Sequence, residues 1–164
     1  MPNKYIYYKL NVNESYGYFK LLPDYHVIIH SPNLFSLNLH TRFKFINLFW
    51  YVFTLGRYKI YYVYDKNKIV HFSYVMPKIF KLGFMKHKNS VHIGPCWTHE
   101  EYRGKGIYPA VLSKICADYF GKDIYIFTDI GNIPSQKGIK KVGFKQIGQG
   151  YKSKFLGIYK INND

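Results

Sequence analysis

The sequence predicts one α/β domain, a mixed sheet with helices packed on it. Three observations carry that expectation. β-rich and helix-periodic runs alternate along the chain, 164 residues suit one hydrophobic core, and no repeat or linker divides them. Hydrophobic residues are 48% and charged residues 20% of the chain, an ordinary globular mixture.

Residues 5–10 have strand composition, and residues 25–30 read as a second strand before the Ser31-Pro32-Asn33 break. Over residues 41–55, Phe45, Leu48, Phe49 and Val52 fall at helical spacing, and Gly56 stops the run. This most apolar stretch is interrupted by Lys44 and Asn47 and is too short to span a bilayer, so a buried helix is expected. Residues 58–64 and 69–75 flank the turn Asp65-Lys66-Asn67-Lys68 as the clearest hairpin. Residues 90–97 form another strand, with Gly94-Pro95 interrupting its pairing. Val111, Leu112, Ile115 and Tyr119 mark a helix over 107–120 that Gly121 ends. Residues 124–128 are a buried-type strand, and 134–142 a short helix stopped by Gly143. Residues 144–148 and 155–161 read as closing strands.

The formal net charge of +15, from 24 Lys+Arg against 9 Asp+Glu, favours anionic partners: nucleic acid, an acidic membrane surface or small phosphorylated molecules. Only Arg42, Arg57 and Arg103 are arginine. Arginine forks dominate base and phosphate recognition, so a lysine surplus argues less for nucleic acid than its size suggests. Eighteen Tyr and thirteen Phe accompany many Lys, Ile and Asn, all residues of AT-rich codons, so the aromatic count alone defines no binding surface. Cys96 and Cys116 lack metal-ligand spacing and read as reduced thiols of a cytoplasmic protein. Met1-Pro2-Asn3-Lys4-Tyr5 lacks the apolar run of a secretory signal.

The segment that carries chemistry is Cys96-Trp97-Thr98-His99-Glu100-Glu101-Tyr102-Arg103-Gly104-Lys105-Gly106-Ile107-Tyr108. A strand runs into a loop with two glycines and two cations, then directly into a helix. Glycines let backbone N–H groups approach an anion, and the helix start adds unpaired donors and the positive end of its dipole. That describes a pyrophosphate seat. It is no Walker loop, lacking the Gly-Lys-Ser/Thr ending, and no dinucleotide fingerprint, lacking a third glycine and a ribose-binding acid.

Residues 101–107 resemble the acyl-CoA loop of the GNAT superfamily, Arg/Gln-x-x-Gly-x-Gly/Ala after a strand. Asn132-Ile133-Pro134-Ser135 with Gly143-Phe144 resembles that family's Asn-x-x-Ser/Ala…Gly-Phe element, in the right order, and the likeness spans about residues 58–160. The resemblance implies a single mixed, mostly antiparallel central sheet flanked by helices, in one domain over 1–164. Residues 1–57 would form an acceptor-side region and 58–160 the acyl-CoA core. It further implies an N-acyltransferase that moves an acyl group from acetyl-CoA or another acyl-CoA directly to a primary amine, with no metal and no covalent enzyme intermediate. Arg103, Gly104, Lys105, Gly106, Ile107 and Tyr108 would hold the pyrophosphate. Cys96, Trp97 and Thr98 would pair with the pantetheine arm like an added strand, a backbone N–H there stabilising the oxyanion, and Asn132 and Ser135 would bind the far part of the arm.

Two departures matter. The loop's final Gly/Ala is Tyr108, and the tyrosine that protonates the leaving thiolate in many members is matched by Ile139. Tyr151 and Tyr159 are candidate replacements from the closing strands. His99, Glu100, Glu101, His92 and Asp129 are candidate bases, each also readable as a structural residue. Residues 93–98 leading into 102–108 are similar to GNAT members of bacterial surface-polysaccharide pathways. That implies a small anionic acceptor, such as an amino sugar carried on a nucleotide, while a protein amine, a polyamine or an antibiotic amine stays open, the cationic polyamine fitting worst; an exposed sheet edge would allow a homodimer. Two alternatives stand beside this reading. One is a basic module that binds nucleic acid or the ribosome, and the other a GNAT-like domain that binds CoA without catalysis.

Overall fold

Eight strands form one sheet in the order β2-β3-β4-β5-β6-β1-β7-β8. They are β1 (Lys4–Leu10), β2 (Tyr25–His30), β3 (Lys59–Asp65), β4 (Lys68–Pro77), β5 (Ser90–Thr98), β6 (Asp123–Asp129), β7 (Lys145–Lys152) and β8 (Tyr159–Ile161). The helices are α1 (Lys44–Thr54), α2 (Ile107–Asp118) and α3 (Ile133–Val142). The computed structural model describes residues 4–11, 13–33, 44–79, 81–153 and 157–162. Neighbouring strands are antiparallel throughout, except β5 and β6, which run parallel.

Alternation along each strand sends successive side chains to opposite faces. Ile6, Tyr8 and Leu10 of β1, Val91 and Ile93 of β5, and Ile124 and Ile126 of β6 join the core that takes in Val111, Leu112 and Ile115 of α2 and Ile139 and Val142 of α3. Tyr7 and Tyr125 point the other way, into an aromatic cluster with Ile79, Leu82, Phe84 and Met85. The tyrosine-rich composition is therefore spent largely on packing: Tyr7, Tyr8, Tyr58, Tyr61, Tyr62 and Tyr125 are all fully buried.

The expected mixed sheet and helices are present, with two differences of detail among the described residues. Residues 41–43 of the first helix and 154–156 of the last strand lie outside the described residues. α1 is not the buried helix expected. Leu48, Val52 and Phe53 are exposed, and the helix packs instead through half-buried Trp50 and Tyr51 and buried Thr54, whose hydroxyl donates to the Trp50 carbonyl at 2.7 Å. A helix with apolar residues on several sides has no single stripe by which periodicity can choose the face that packs. Finally, the N-terminal third contributes to both halves of the sheet. β2 pairs with β3, while β1 lies between β6 and β7, antiparallel to both.

β7 and β8 approach closely at Gly150, opposite Ile161, where an added Cβ would collide with the Lys160 carbonyl. Gly150→Ala is expected to detach β8, seen as faster amide exchange there while β3, β4 and β5 keep their protection. Unchanged exchange in β8 would contradict this tight register.

Candidate active site

β5 and β6 pair only from Ser90↔Asp123 to Ile93↔Ile126. Beyond that, Cys96, Trp97 and Thr98 pair with β4 alone, and Phe127, Thr128 and Asp129 with β1 alone. The two strands part into a notch, and the β5 edge that faces it carries no strand. Such an edge presents main-chain donors and acceptors to whatever extended group enters.

The notch holds a cavity of about 570 Å³. β5 supplies Cys96, Trp97 and Thr98, the loop supplies Tyr102, Arg103, Gly104 and Gly106, and α2 supplies Ile107, Tyr108 and Pro109. α3 closes the opposite wall with Pro134, Ser135, Lys137, Gly138 and Lys141, next to Asn132. Three of these residues are cations, and no acid stands among them, so the field inside favours an anion.

The loop is built for close approach. Gly104 and Gly106 have φ of +78° and +75°, conformations that side chains rarely adopt, and a Cβ at either would meet nothing within 4 Å. Gly106 is the N-cap of α2 and offers no side chain to its first turn. Those N–H groups thus have no partner at the end where the helix dipole is positive. α3 differs, because Asn132 Oδ1 accepts from the Ser135 N–H at 3.2 Å and caps the helix internally. An anion is therefore best seated at α2. Arg103 stands beside it and donates from Nε to the Thr98 carbonyl at 3.3 Å.

Behind the β5 wall lies a buried polar chain. His71 is fully buried, with Nδ1 2.7 Å from Thr98 Oγ1 and Nε2 2.8 Å from Ser73 Oγ. Burial lowers the imidazole to about 3, so it is neutral and fixes both hydroxyls. Burial also pushes the Cys96 thiol up to about 12, opposed by a bond to Ser73, which leaves a thiol and not a thiolate. Tyr108 reaches over α3, where its ring fills the space that a Cβ on Gly138 would occupy, 2.9 Å from Tyr108 Cδ1. Its dry surroundings, and secondarily Cys96, raise its hydroxyl well above the ordinary range. Two other hydroxyls in the wall are engaged: Thr98 with His71, and Tyr102 with Asp65 Oδ2 at 2.8 Å.

No family model matches this chain, and no curated protein matches it. Solved structures do. It is similar to the GCN5-related N-acetyltransferase from Sphaerobacter thermophilus, at 12% identity and a TM-score of 0.61, over 91% of this chain and 50% of that one. It is similar to a GNAT-family acetyltransferase from Colwellia psychrerythraea, at 15% identity and a TM-score of 0.55, over 91% of this chain and 54% of that one. A tandem GNAT protein from the clavulanic acid biosynthesis pathway matches at 11% identity and a TM-score of 0.60, over 88% of this chain and 50% of that one. This chain has the GNAT fold. It spans about half to three-fifths of the length of the solved structures it matches.

Within this GNAT fold the residues expected at the acyl-CoA converge. Cys96, Trp97, Thr98, Arg103, Gly104, Gly106, Ile107, Tyr108, Asn132 and Ser135 all line the one cavity. Lys105 does not; its ammonium sits 4.6 Å over the Tyr102 ring. The seven residues named as candidates to act on protons also lie outside the lining. His99 packs edge-on against Trp97 and Tyr102, its Nδ1 3.6 Å from Glu101. Glu100 opens the short 3-10 turn Glu100–Tyr102 and is exposed. Asp129 turns its Oδ1 back to the Gly131 N–H at 2.8 Å. Tyr151 sits in the β1–β7–β8 ladder, paired with Lys4 and Lys160. Tyr159 packs with Tyr5 and Phe127 on the face away from α2 and α3.

Sequence reading missed His71 and Ser73, Tyr102, and the cations Lys137 and Lys141. The signals were local. His71-x-Ser73 and Cys96-x-Thr98 are same-face pairs on adjacent strands, and Lys137 and Lys141 are one helical turn apart beyond the Asn132 cap. Among the described residues, no group of three or more His, Cys, Asp or Glu is placed to hold a metal ion, and no helix is long and apolar enough to cross a membrane.

Proposed function

We propose that this protein is an acyl-CoA-dependent N-acyltransferase, acting on a primary amine with acetyl-CoA as the simplest donor. The observation that carries the reading is one cavity joining a free strand edge at residues 95–98 to an uncapped helix start, with Arg103, Lys137 and Lys141 in its walls. A pyrophosphate fits the N–H groups of α2 and Arg103. An amide-bearing arm fits the open edge of β5 by strand addition. Nucleic acid fits less well, because these cations face a cavity and not an open surface. The unpaired Cys96 and Cys116 suit a reducing, cytoplasmic setting.

In this mechanism the amine nitrogen attacks the thioester carbonyl, and a β5 backbone N–H donates to the oxygen as it gains charge. The C–N bond forms and the C–S bond breaks. Tyr108 gives its hydroxyl proton to the departing sulfur and recovers one released by the amine nitrogen. Burial keeps that proton on Tyr108 at neutral pH, and the hydroxyl has no hydrogen bond to a described residue. Tyr108 thus supplies the donor that Ile139, buried in the core, does not. Cys96 keeps its proton and forms no acyl-enzyme.

The test is calorimetric titration of acetyl-CoA into the wild type and Gly106→Trp at moderate salt, with circular dichroism to verify folding. The indole would occupy the anion seat, so affinity is expected to fall by about 100-fold or more in a folded variant, the loss of about two charge-assisted hydrogen bonds. If the wild type binds no acyl-CoA, the acyltransferase reading fails and nucleic-acid binding is tested next.

A further inference from the structure

α1 packs on the sheet face opposite α2 and α3, and it is also apolar on the side that does not pack. Trp50 meets both aromatic clusters of that face, and Thr54, one turn on, is buried. Half a turn around the helix, Leu48 and Val52 are 48% and 58% exposed, and Leu55, just past its end, is 75% exposed. Phe53 at their flank is exposed as well. Single exposed hydrophobes are ordinary, but four within eight residues form a patch, and such patches mark interaction sites.

The surroundings of this patch are basic. Between Asp24 and Glu100 the chain has ten Lys and Arg against one acid, Asp65, so this stretch carries more than half of the net charge of +15. It includes the segment that links β4 to β5, whose Leu82, Phe84 and Met85 enter the same cluster as Trp50. That puts its lysines next to α1. Lys81 lies 4.5 Å from the Phe49 ring, and Lys78, Lys86 and Lys88 are exposed. Arg57 and Lys59, exposed too, follow the end of α1, where Arg57 Nε donates to the Thr54 carbonyl at 3.3 Å. The nearby acids are engaged elsewhere. Asp65 is bonded to Tyr102 at the far end of β3, and Asp123, 3.9 Å from His87, is held by Lys9 at 2.9 Å.

We infer that this face docks on an anionic lipid bilayer, with Leu48, Val52, Phe53 and Leu55 entering the boundary between headgroups and acyl chains and the lysines around them meeting lipid phosphates. The inference goes beyond the acyltransferase reading and does not depend on it. An apolar helix side rimmed by cations has the composition of a membrane-surface helix, in which burial of the apolar side chains and attraction to acidic headgroups add. The two properties together select the occupant. A second copy of the chain would bring the same positive charge against itself. Nucleic acid would satisfy the lysines and leave the apolar side chains unburied. With eleven residues, α1 is too short to span a bilayer, so it lies on the surface.

The experiment is co-sedimentation of the intact chain with vesicles of phosphatidylcholine, alone or with about a third phosphatidylglycerol, at about 0.15 M salt. Binding is expected to be at least about tenfold stronger to the anionic vesicles. Leu48→Gln/Val52→Gln keeps every charge and suits a helix; it is expected to weaken that binding by about tenfold or more. Lys86→Gln/Lys88→Gln keeps the apolar patch and is expected to weaken it by about tenfold as well. Both variants change exposed side chains, so their melting should stay within a few degrees of wild type. A wild type that does not sediment with anionic vesicles overturns the inference. Binding left unchanged by Leu48→Gln/Val52→Gln also overturns it, since attraction of a basic protein to any polyanion needs no apolar helix. A wild-type dimer in light scattering that this variant dissolves would give the face to a second copy and overturn it too. Acetyl-CoA titration without vesicles tests the acyltransferase reading separately.

Discussion

Tyr108→Phe is expected to lower turnover with a saturating amine by about 10²-fold, leaving acetyl-CoA affinity unchanged. The substitution removes a single oxygen. The ring would keep its seat against Gly138 and its place near His71, 6.1 Å between centroids, so folding and the cavity wall should survive. What is lost is a hydroxyl in the wall that neither His71 nor Asp65 holds. The Cys96 thiol is no nucleophile, since burial raises it and outweighs the opposing bond to Ser73. The same logic predicts a second variant. Gly138→Ala puts a methyl group 2.9 Å from Tyr108 Cδ1, so the ring must move and turnover should fall without loss of the hydroxyl. Steady-state kinetics with calorimetric acetyl-CoA binding distinguish the cases. Full activity in Tyr108→Phe would remove Tyr108 from the mechanism, and weakened acetyl-CoA binding would make it a wall residue only.

Alkali should unfold the protein in one transition that begins near pH 10. Tyr7, Tyr8, Tyr58 and Tyr61 are buried to within 1% of complete, and burial raises each above its ordinary value; Tyr61 is raised further by its 2.9 Å bond to Asp118. The sign follows from proton counts. Below pH 10 both states hold these protons and stability is unaffected. Above it the unfolded chain releases them and the folded chain does not, so the unfolded state gains. Each such tyrosine costs about 1.4 kcal/mol per pH unit, about 5 kcal/mol for the four, against a typical stability of about 5–15 kcal/mol. The fold should be lost within roughly one to three units above pH 10. Tyrosinate absorbance and far-UV circular dichroism recorded on one titration check it. Coincident curves are expected, and tyrosines that titrate at pH 10 in a folded protein would show that this core is wet.

Local signals were legible in the sequence because local chemistry produces them. The hairpin around Asp65-Lys66-Asn67-Lys68, the glycine stops and the Arg103-Gly104-Lys105-Gly106 loop each depend on neighbours a few residues away. The cavity-lining residues of β5, the loop and α2 followed, since a strand, its loop and the next helix keep one another in place. Long-range facts were not legible. Nothing in Tyr5-Ile6-Tyr7-Tyr8 says that β6 and β7 are its partners, and the period of α1 does not choose between Leu48 and Trp50 as the packed side. The candidates for proton transfer show the same limit. His99, Glu100 and Asp129 adjoin the motifs in sequence but lie outside the cavity lining, whereas Tyr108 meets Gly138 only across the cavity.

The position of β1 also sets an order of events during synthesis. Lys4–Leu10 leaves the ribosome more than 100 residues before Asp123–Asp129 and Lys145–Lys152, between which it must lie. At ordinary translation speeds that is an interval on the order of ten seconds. Throughout it, a segment with three closely spaced tyrosines has neither flank occupied, the condition in which strands pair with the wrong chain. Nascent chains crowded on one message are thus exposed to exchange of this segment between neighbours. A chain that lost it would keep a slot of matching register, open to a seven-residue peptide supplied from outside.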